Sequence, residues 1–158
     1  MAVKKPKKNM SPTIDNRRAR HEYYFVQEYE AGIVLTGTEV KSVREGKVNL
    51  GDSFCYIKNG EMWIKNMHIS EYKFGTYNNH NPLSLRKLLL TKAELKKIGQ
   101  KTKEKGFTIV PVKVFFTERG FIKIHIALAQ GKKSYDKRDS MKERDSKRDL
   151  DRVKKAYK

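Results

Sequence analysis

Residues 29–42 read Tyr-Glu-Ala-Gly-Ile-Val-Leu-Thr-Gly-Thr-Glu-Val-Lys-Ser, with one carboxylate near each end, Glu30 and Glu39. Two fixed carboxylates can do acid–base or metal chemistry if further groups converge on them. Little else in the chain supports that use. Glu45 and Asp52 are scattered, and the histidines at 21, 68, 80 and 125 have no metal-ligand spacing. Gly51-Asp52-Ser53 and Glu118-Arg119-Gly120 lack the Gly-Lys-Ser/Thr of a phosphate loop, and neither a Gly-x-Ser-x-Gly elbow nor a His-Glu-x-x-His pair occurs. The expectation is a non-enzymatic chain without cofactor or metal, whose acids position a ligand.

The basic side chains make a stronger case. Arg17, Arg18 and Arg20 precede the first expected strand; Arg86 and Lys87 precede a Leu88-Leu89-Leu90 run; Lys92, Lys96, Lys97, Lys101, Lys103 and Lys105 follow it with only Glu94 and Glu104 among them. A lysine-rich helix face is ordinarily just solvated, but unbalanced positive charge attracts phosphates and releases counterions. Asn16, His21, Tyr23, Tyr24 and Phe25 could stack on or hydrogen-bond to unpaired bases, or pack in the core. A carboxylate such as Glu30 facing a polyanion has two readings: accepting bonds from base amino groups or orienting a basic neighbour, against a local salt bridge.

These residues require strands to hold them. The aromatic-rich residues 22–29 predict one strand, Gly32 a corner, 33–35 a second strand, and 38–45 a short helix with Val40 and Val43 inward and Gly46 ending it. Asn59-Gly60 predicts a hairpin between 53–58 and 61–69, because both turn residues need positive φ. Residues 70–84 read as loop. Thr91-x-x-Glu94 is a capping box that opens a helix with Leu95 and Ile98 inward. Residues 107–116 and 121–129 form a second hairpin. In its last strand Ile122, Ile124, Ile126 and Leu128 make a core face opposite a wetter Lys123, His125 and Ala127 face. Pro111 predicts an edge or a bulge. The pattern is a mainly β (α+β) fold, a small antiparallel barrel with two to three short flanking helices. OB-like, SH3-like and meander forms remain open on pattern alone.

Charge divides the chain. The 158 residues carry a formal net charge of +18. Residues 1–20 hold seven basic groups and one acid, and residues 130–158 hold twelve basic and six acidic groups, so each end carries +6. Such ends bury too little to order themselves, which predicts a mobile basic segment at 1–15, a barrel at 16–129 and a tail at 130–158. The excess charge points to a polyanion. One cysteine, Cys55, excludes an internal disulfide and a Cys-based zinc site, and its setting predicts a buried thiol. No secretory signal or apolar span is present, so a cytosolic protein is expected.

In the tail, Gly131, Lys132, Lys133, Tyr135, Asp136, Lys137 and Arg138 combine a flexible start, two cation pairs and a ring, the chemistry of a phosphate-and-base clamp. Beyond it, Glu143–Lys147 and Asp151–Lys155 are favourable i, i+4 pairs, and Leu150, Val153 and Tyr157 form a narrow apolar stripe. The segment reads as helical when a partner supplies surface, or as a disordered solubility tail.

Four segments carry a resemblance in this order: residues 16–23 (Asn-Arg-Arg-Ala-Arg-His-Glu-Tyr), residues 29–42, Arg86-Lys87-Leu88-Leu89-Leu90, and the Gly131 to Arg138 clamp. Together they resemble the SsrA-binding protein (SmpB) family, which partners transfer-messenger RNA (tmRNA) in rescuing stalled bacterial ribosomes. The resemblance implies the OB-like barrel. It also implies that Asn16, Glu30 and Leu89 match positions associated with the tRNA-like domain of tmRNA. Arg17, Arg18, Arg20, His21, Tyr23, Arg86 and Lys87 are the further expected RNA-binding residues. It implies too a tail that enters the empty messenger channel, its clamp and Val153 meeting small-subunit ribosomal RNA near the decoding centre. Gln130 departs from the basic residue common before the clamp. The competing readings are a structural ribosomal protein, a general OB-type single-strand RNA binder and, more distantly, a nuclease.

Overall fold

The computed structural model describes residues 12–156. Its body is a ring of six antiparallel strands: β2 (Tyr23–Ile33), β4 (Phe54–Lys58), β5 (Glu61–Lys65), β7 (Arg86–Leu89), β8 (Phe107–Phe116) and β9 (Ile122–Gly131). The order β8-β4-β5-β7-β2-β9 closes because β9 also pairs with β8. This is the OB-like barrel. The short β1 (Ile14–Asp15) adds to β8, and β3 (Val48–Asn49) pairs with β6 (His68–Ile69) outside the ring. Ile14 and Asp15, expected in the terminal segment, are therefore strand, and β9 runs two residues past the expected barrel end at 129.

Alternation builds the core. Ala31 of β2, Met62 and Ile64 of β5, Leu88 of β7, Ile109 and Val114 of β8, and Ile124, Ile126 and Leu128 of β9 fill the barrel. Full burial of such side chains contributes roughly 1.5–3 kcal/mol each. Cys55 lies among them, and burial pushes its thiol pKa up, leaving it unreactive as expected. Asn59 (φ 53°) and Gly60 (φ 72°) make the expected hairpin turn between β4 and β5.

Helix α2 (Gly37–Arg44) buries Val43 and ends at Gly46, which takes φ 75°. Helix α3 (Lys92–Thr102) opens on the expected capping box: Thr91 Oγ1 accepts from the Glu94 amide at 3.2 Å, and Glu94 Oε2 accepts from the Thr91 amide at 3.1 Å. Helix α4 (Ser134–Ala156) is one continuous helix, with Met141, Leu150 and Val153 all more than half exposed. Tyr157 of the expected stripe lies outside the described residues. Among the described residues no helix is long and apolar enough to cross a membrane.

Three expectations change. Gly32 is not a corner, and residues 33–35 are not a second strand: β2 runs through Gly32 without a break and ends at Ile33, pairing with β9 as far as Gly32↔Lys123 and with β7 at Gly32↔Leu89 and Ile33↔Leu88. One long strand can serve two neighbours because barrel closure staggers them along it. The irregularity sits at Val26 instead, where the β2–β9 register shifts. That bulge sends Tyr23 and Phe25 to the outside and Tyr29, Ala31 and Ile33 to the inside. The expected bulge near Pro111 is present, between Pro111 and Lys113.

The third change is a helix where none was expected. Helix α1 (Arg17–Glu22) lies over the outside of β8 and β9, and Ala19 packs with Val110, Val112, Ala127 and Ala129. The outer face of β9 is thus dry at 127 and 129 and open at 123 and 125. Asn16 caps the helix, and its amide joins helix, loop and bulge: Nδ2 donates to Leu50 O at 3.2 Å and to Pro111 O at 2.9 Å, while Oδ1 accepts from Ala19 N at 3.2 Å.

Candidate nucleic-acid interface

The half of the outer barrel face that α1 leaves open is ordered by register. One cross-strand row runs Lys113 (β8), His125 (β9), Glu30 (β2); the next runs Phe115 (β8), Lys123 (β9), Gly32 (β2), Leu89 (β7). Because alternate residues share a face, all seven point outward together. Glu30 Oε1 accepts a bond from Lys123 Nζ at 2.9 Å, and its other oxygen lies 3.9 Å from His125 Nε2. The Lys123 hydrogen bond holds the Glu30 carboxyl below its usual range; desolvation opposes it, and the charges of Lys123 and His125 add smaller lowering contributions. His125 meets Phe115 edge-on at 5.0 Å between ring centroids, and Lys113 Nζ stands 5.6 Å from the Phe115 centroid.

Gly32 is needed at this place. A Cβ there would stand 3.3 Å from Leu89 Cβ, so the missing side chain makes room for Leu89, which is 52 % exposed. The result is an apolar surface beside a carboxylate bracketed by cations. It offers an acceptor for base amino groups, donors for phosphates and an apolar platform for a nucleotide face.

The expected RNA-binding residues divide into two sets. Glu30 and Leu89 come together on this face. Lys87, also outward on β7, bonds Glu61 at 2.9 Å across to β5. Arg17, Arg18 and Arg20 are exposed on α1. Arg18 bonds Glu22 at 3.1 Å and Asp52 at 2.6 Å, and Arg20 lies 3.8 Å from Asp15. His21 Nδ1 accepts from Arg144 Nη2 of α4 at 3.1 Å. Tyr23 is half-buried against the α1 cluster.

Asn16 and Arg86 are internal. Asn16 is 4 % exposed with its amide engaged as described. Arg86 is 2 % exposed: Nε donates to Glu39 Oε2 at 2.9 Å, and the guanidinium also reaches Met67 O at 2.5 Å and Pro82 O at 3.2 Å. Asn16 ties α1 to the Leu50 loop and the Pro111 bulge, and Arg86 ties α2 and residues 81–82 to β7. Glu39, the second acid of the opening run, is the buried partner of Arg86 rather than an exposed group.

The clamp begins at the barrel. Gly131 ends β9 opposite Tyr23, the Lys132 amide donates to Glu22 O at 2.7 Å, and Lys132 Nζ stands 5.0 Å over the Tyr24 ring. Lys133 is exposed before α4, Tyr135 and Asp136 lie in its first turn, and Lys137, Arg138 and Val153 follow along it.

Residues 13–156 match the SmpB protein family. The chain belongs to that family. It is 55 % identical over 147 residues to the SsrA-binding protein of Phocaeicola vulgatus, covering 91 % of this chain and 98 % of the relative. The SsrA-binding protein of Bacteroides thetaiotaomicron is likewise 55 % identical, over 92 % of this chain and 97 % of its own. A solved structure described as "tmRNA-SmpB: a journey to the center of the bacterial ribosome" matches with a TM-score of 0.67 at 49 % identity, over 78 % of this chain and 86 % of that one.

Four members of this SmpB-family surface escaped sequence reasoning as ligands: Lys113, Phe115, Lys123 and His125. Alternation in β9 marked Lys123 and His125 as wet. What placed them beside Glu30 is strand register, which local pattern does not carry.

Proposed function

We propose that this chain is a non-enzymatic, cytosolic RNA-binding adaptor that binds the tRNA-like domain of tmRNA and delivers it to stalled ribosomes for trans-translation. The observation that carries the reading is the joining of Glu30, Lys123, His125 and Leu89 into one outer surface over a side-chain-free Gly32. The family relatives named for SsrA binding support it, as does the structural likeness to a tmRNA–SmpB assembly on the ribosome. Phosphates take the cations; a carboxylate among cations selects bases that present amino groups and repels a bare phosphate backbone. The clamp, from Gly131 to Arg138, and the exposed helix α4 with Val153 then address ribosomal RNA in the empty messenger channel. Helix α4 leaves its apolar positions in water, and docking would supply their missing surface.

A competition titration at one fixed near-physiological salt tests this, with labelled tRNA-like domain against unlabelled elongator tRNA and single-stranded RNA. The expected preference is tenfold or more, about 1.4 kcal/mol. Glu30→Ala and Leu89→Ala should each reduce it while the thermal melt stays in place. Equal competition by all three RNAs would replace the adaptor with a general single-strand binder.

A further inference from the structure

Away from the four strands of that surface, residues 70–85 leave β6 and return to β7 as a loop whose base is firmly held. Asn79 clasps it: Oδ1 accepts from the Tyr72 amide at 3.2 Å and the His80 amide at 3.1 Å, and Nδ2 donates to Tyr72 O at 2.8 Å. A Cβ at Gly75 would stand 2.6 Å from Asn79 Nδ2, so the loop closes on its own clasp only with glycine there. His80 is buried between Thr38 Oγ1 and Ile69 O, each at 2.9 Å, and Arg86 reaches the carbonyl of Pro82. The buried Glu39–Arg86 pair therefore anchors this loop.

Its tip does the opposite of packing. Phe74 is 73 % exposed and Tyr77 95 % exposed. Tyr72 meets Phe74 edge-on at 5.7 Å, with Lys41 Nζ 5.3 Å from the Tyr72 centroid and Lys73 Nζ 5.8 Å from that of Phe74. Two large rings held in water on a clasped backbone are unfavourable for folding and suited to stacking. Rings lose little rotamer freedom on binding, and a preorganised loop spares the ordering cost. Cations beside the rings match phosphates flanking an unpaired base, whereas the core of a protein-docking patch is depleted in lysine.

We infer that the tip of the 70–85 loop is a second RNA contact, where Tyr77 and Phe74 stack on unpaired nucleotides while Lys73 and Lys41 take the adjoining phosphates. This rests on the adaptor reading only for the identity of the RNA. The test titrates labelled tRNA-like domain of tmRNA with the full chain and with Tyr77→Ala, Phe74→Ala, Tyr77→Trp and Tyr77→Leu, with Glu30→Ala run alongside. Tyr77→Ala should weaken binding about fivefold or more, given typical stacking contributions. Tyr77→Trp should retain affinity, Tyr77→Leu should not, and the salt dependence should keep its slope because no cation is lost. Rescue by leucine, or an unchanged affinity for Tyr77→Ala beside a weakened Glu30→Ala, would overturn the stacking site and leave the adaptor reading standing. If the intact chain shows no preference for the tRNA-like domain, the adaptor reading fails instead. Loss of affinity for a single-stranded oligonucleotide in Tyr77→Ala would then still uphold the stack, and its absence would overturn it.

Discussion

Glu30 and Glu39 each meet a cation at 2.9 Å, yet the two pairs live in different media. Glu30 and Lys123 are both more than 40 % exposed, whereas the Glu39 and Arg86 side chains are 4 % and 1 % exposed. In the core, desolvation is costly and is offset only because Arg86 also satisfies backbone carbonyls; removing one partner strands a buried charge. On the surface, water screens the attraction, the pair adds little stability, and it can exchange its bonds for those of a ligand. Geometry alone does not separate a structural ion pair from a recognition one. Burial does.

The sharpest way to break this comparison is Arg86→Ala. It leaves the Glu39 carboxylate and the Met67 carbonyl without their Arg86 donor, and should cost about 3–5 kcal/mol. Against a typical total of about 5–15 kcal/mol, urea melts would show this plainly. A loss under about 1 kcal/mol would mean that the buried pair is no different from the exposed one. Asn16→Ala should come next, at about 2 kcal/mol, from the lost α1 cap and the Pro111 carbonyl stripped of its Asn16 donor, while Leu50 O keeps its bonds from Ser53. RNA affinity should fall only as α1 frays, so normal binding by the folded fraction is the outcome that fits a positioning role.

The smallest effect sharpens the exposed side. Lys123→Ala should raise the Glu30 carboxyl toward its ordinary value, read by carbon-detected NMR titration, with little change in the melt. The sign follows from the depressed carboxyl. The wild-type pair contributes its small share of stability in full above the unfolded-state carboxylate pKa, and loses it as pH falls through the lower folded value. A Glu30 titration that ignores Lys123 would remove the pair from the site.

Local chemistry was legible wherever neighbours in sequence decide the outcome. The Asn59-Gly60 turn, the Thr91–Glu94 capping box, the Gly46 helix end and the inward Ile124, Ile126 and Leu128 all follow from rules spanning a few residues. Helix α1 was missed although Asn16 is a good cap, because its arginines carry no apolar period and only Ala19 turns inward. Gly32 read as a corner for a similar reason. Glycine marks either a turn or a close approach, and the approaching group, Leu89, lies 57 positions further along the chain.

The sequence by itself determined a basic, barrel-forming chain with the marks of the SmpB family, because charge, alternation and turn chemistry are local and additive. Only the tertiary structure decided which charges are buried and which remain free for RNA. Register carried Lys123 and His125 to Glu30, and packing of α2 and the 70–85 loop against β7 buried Glu39 and Arg86. Those outcomes depend on pairings between distant strands, whose energies belong to the closed ring rather than to any one segment.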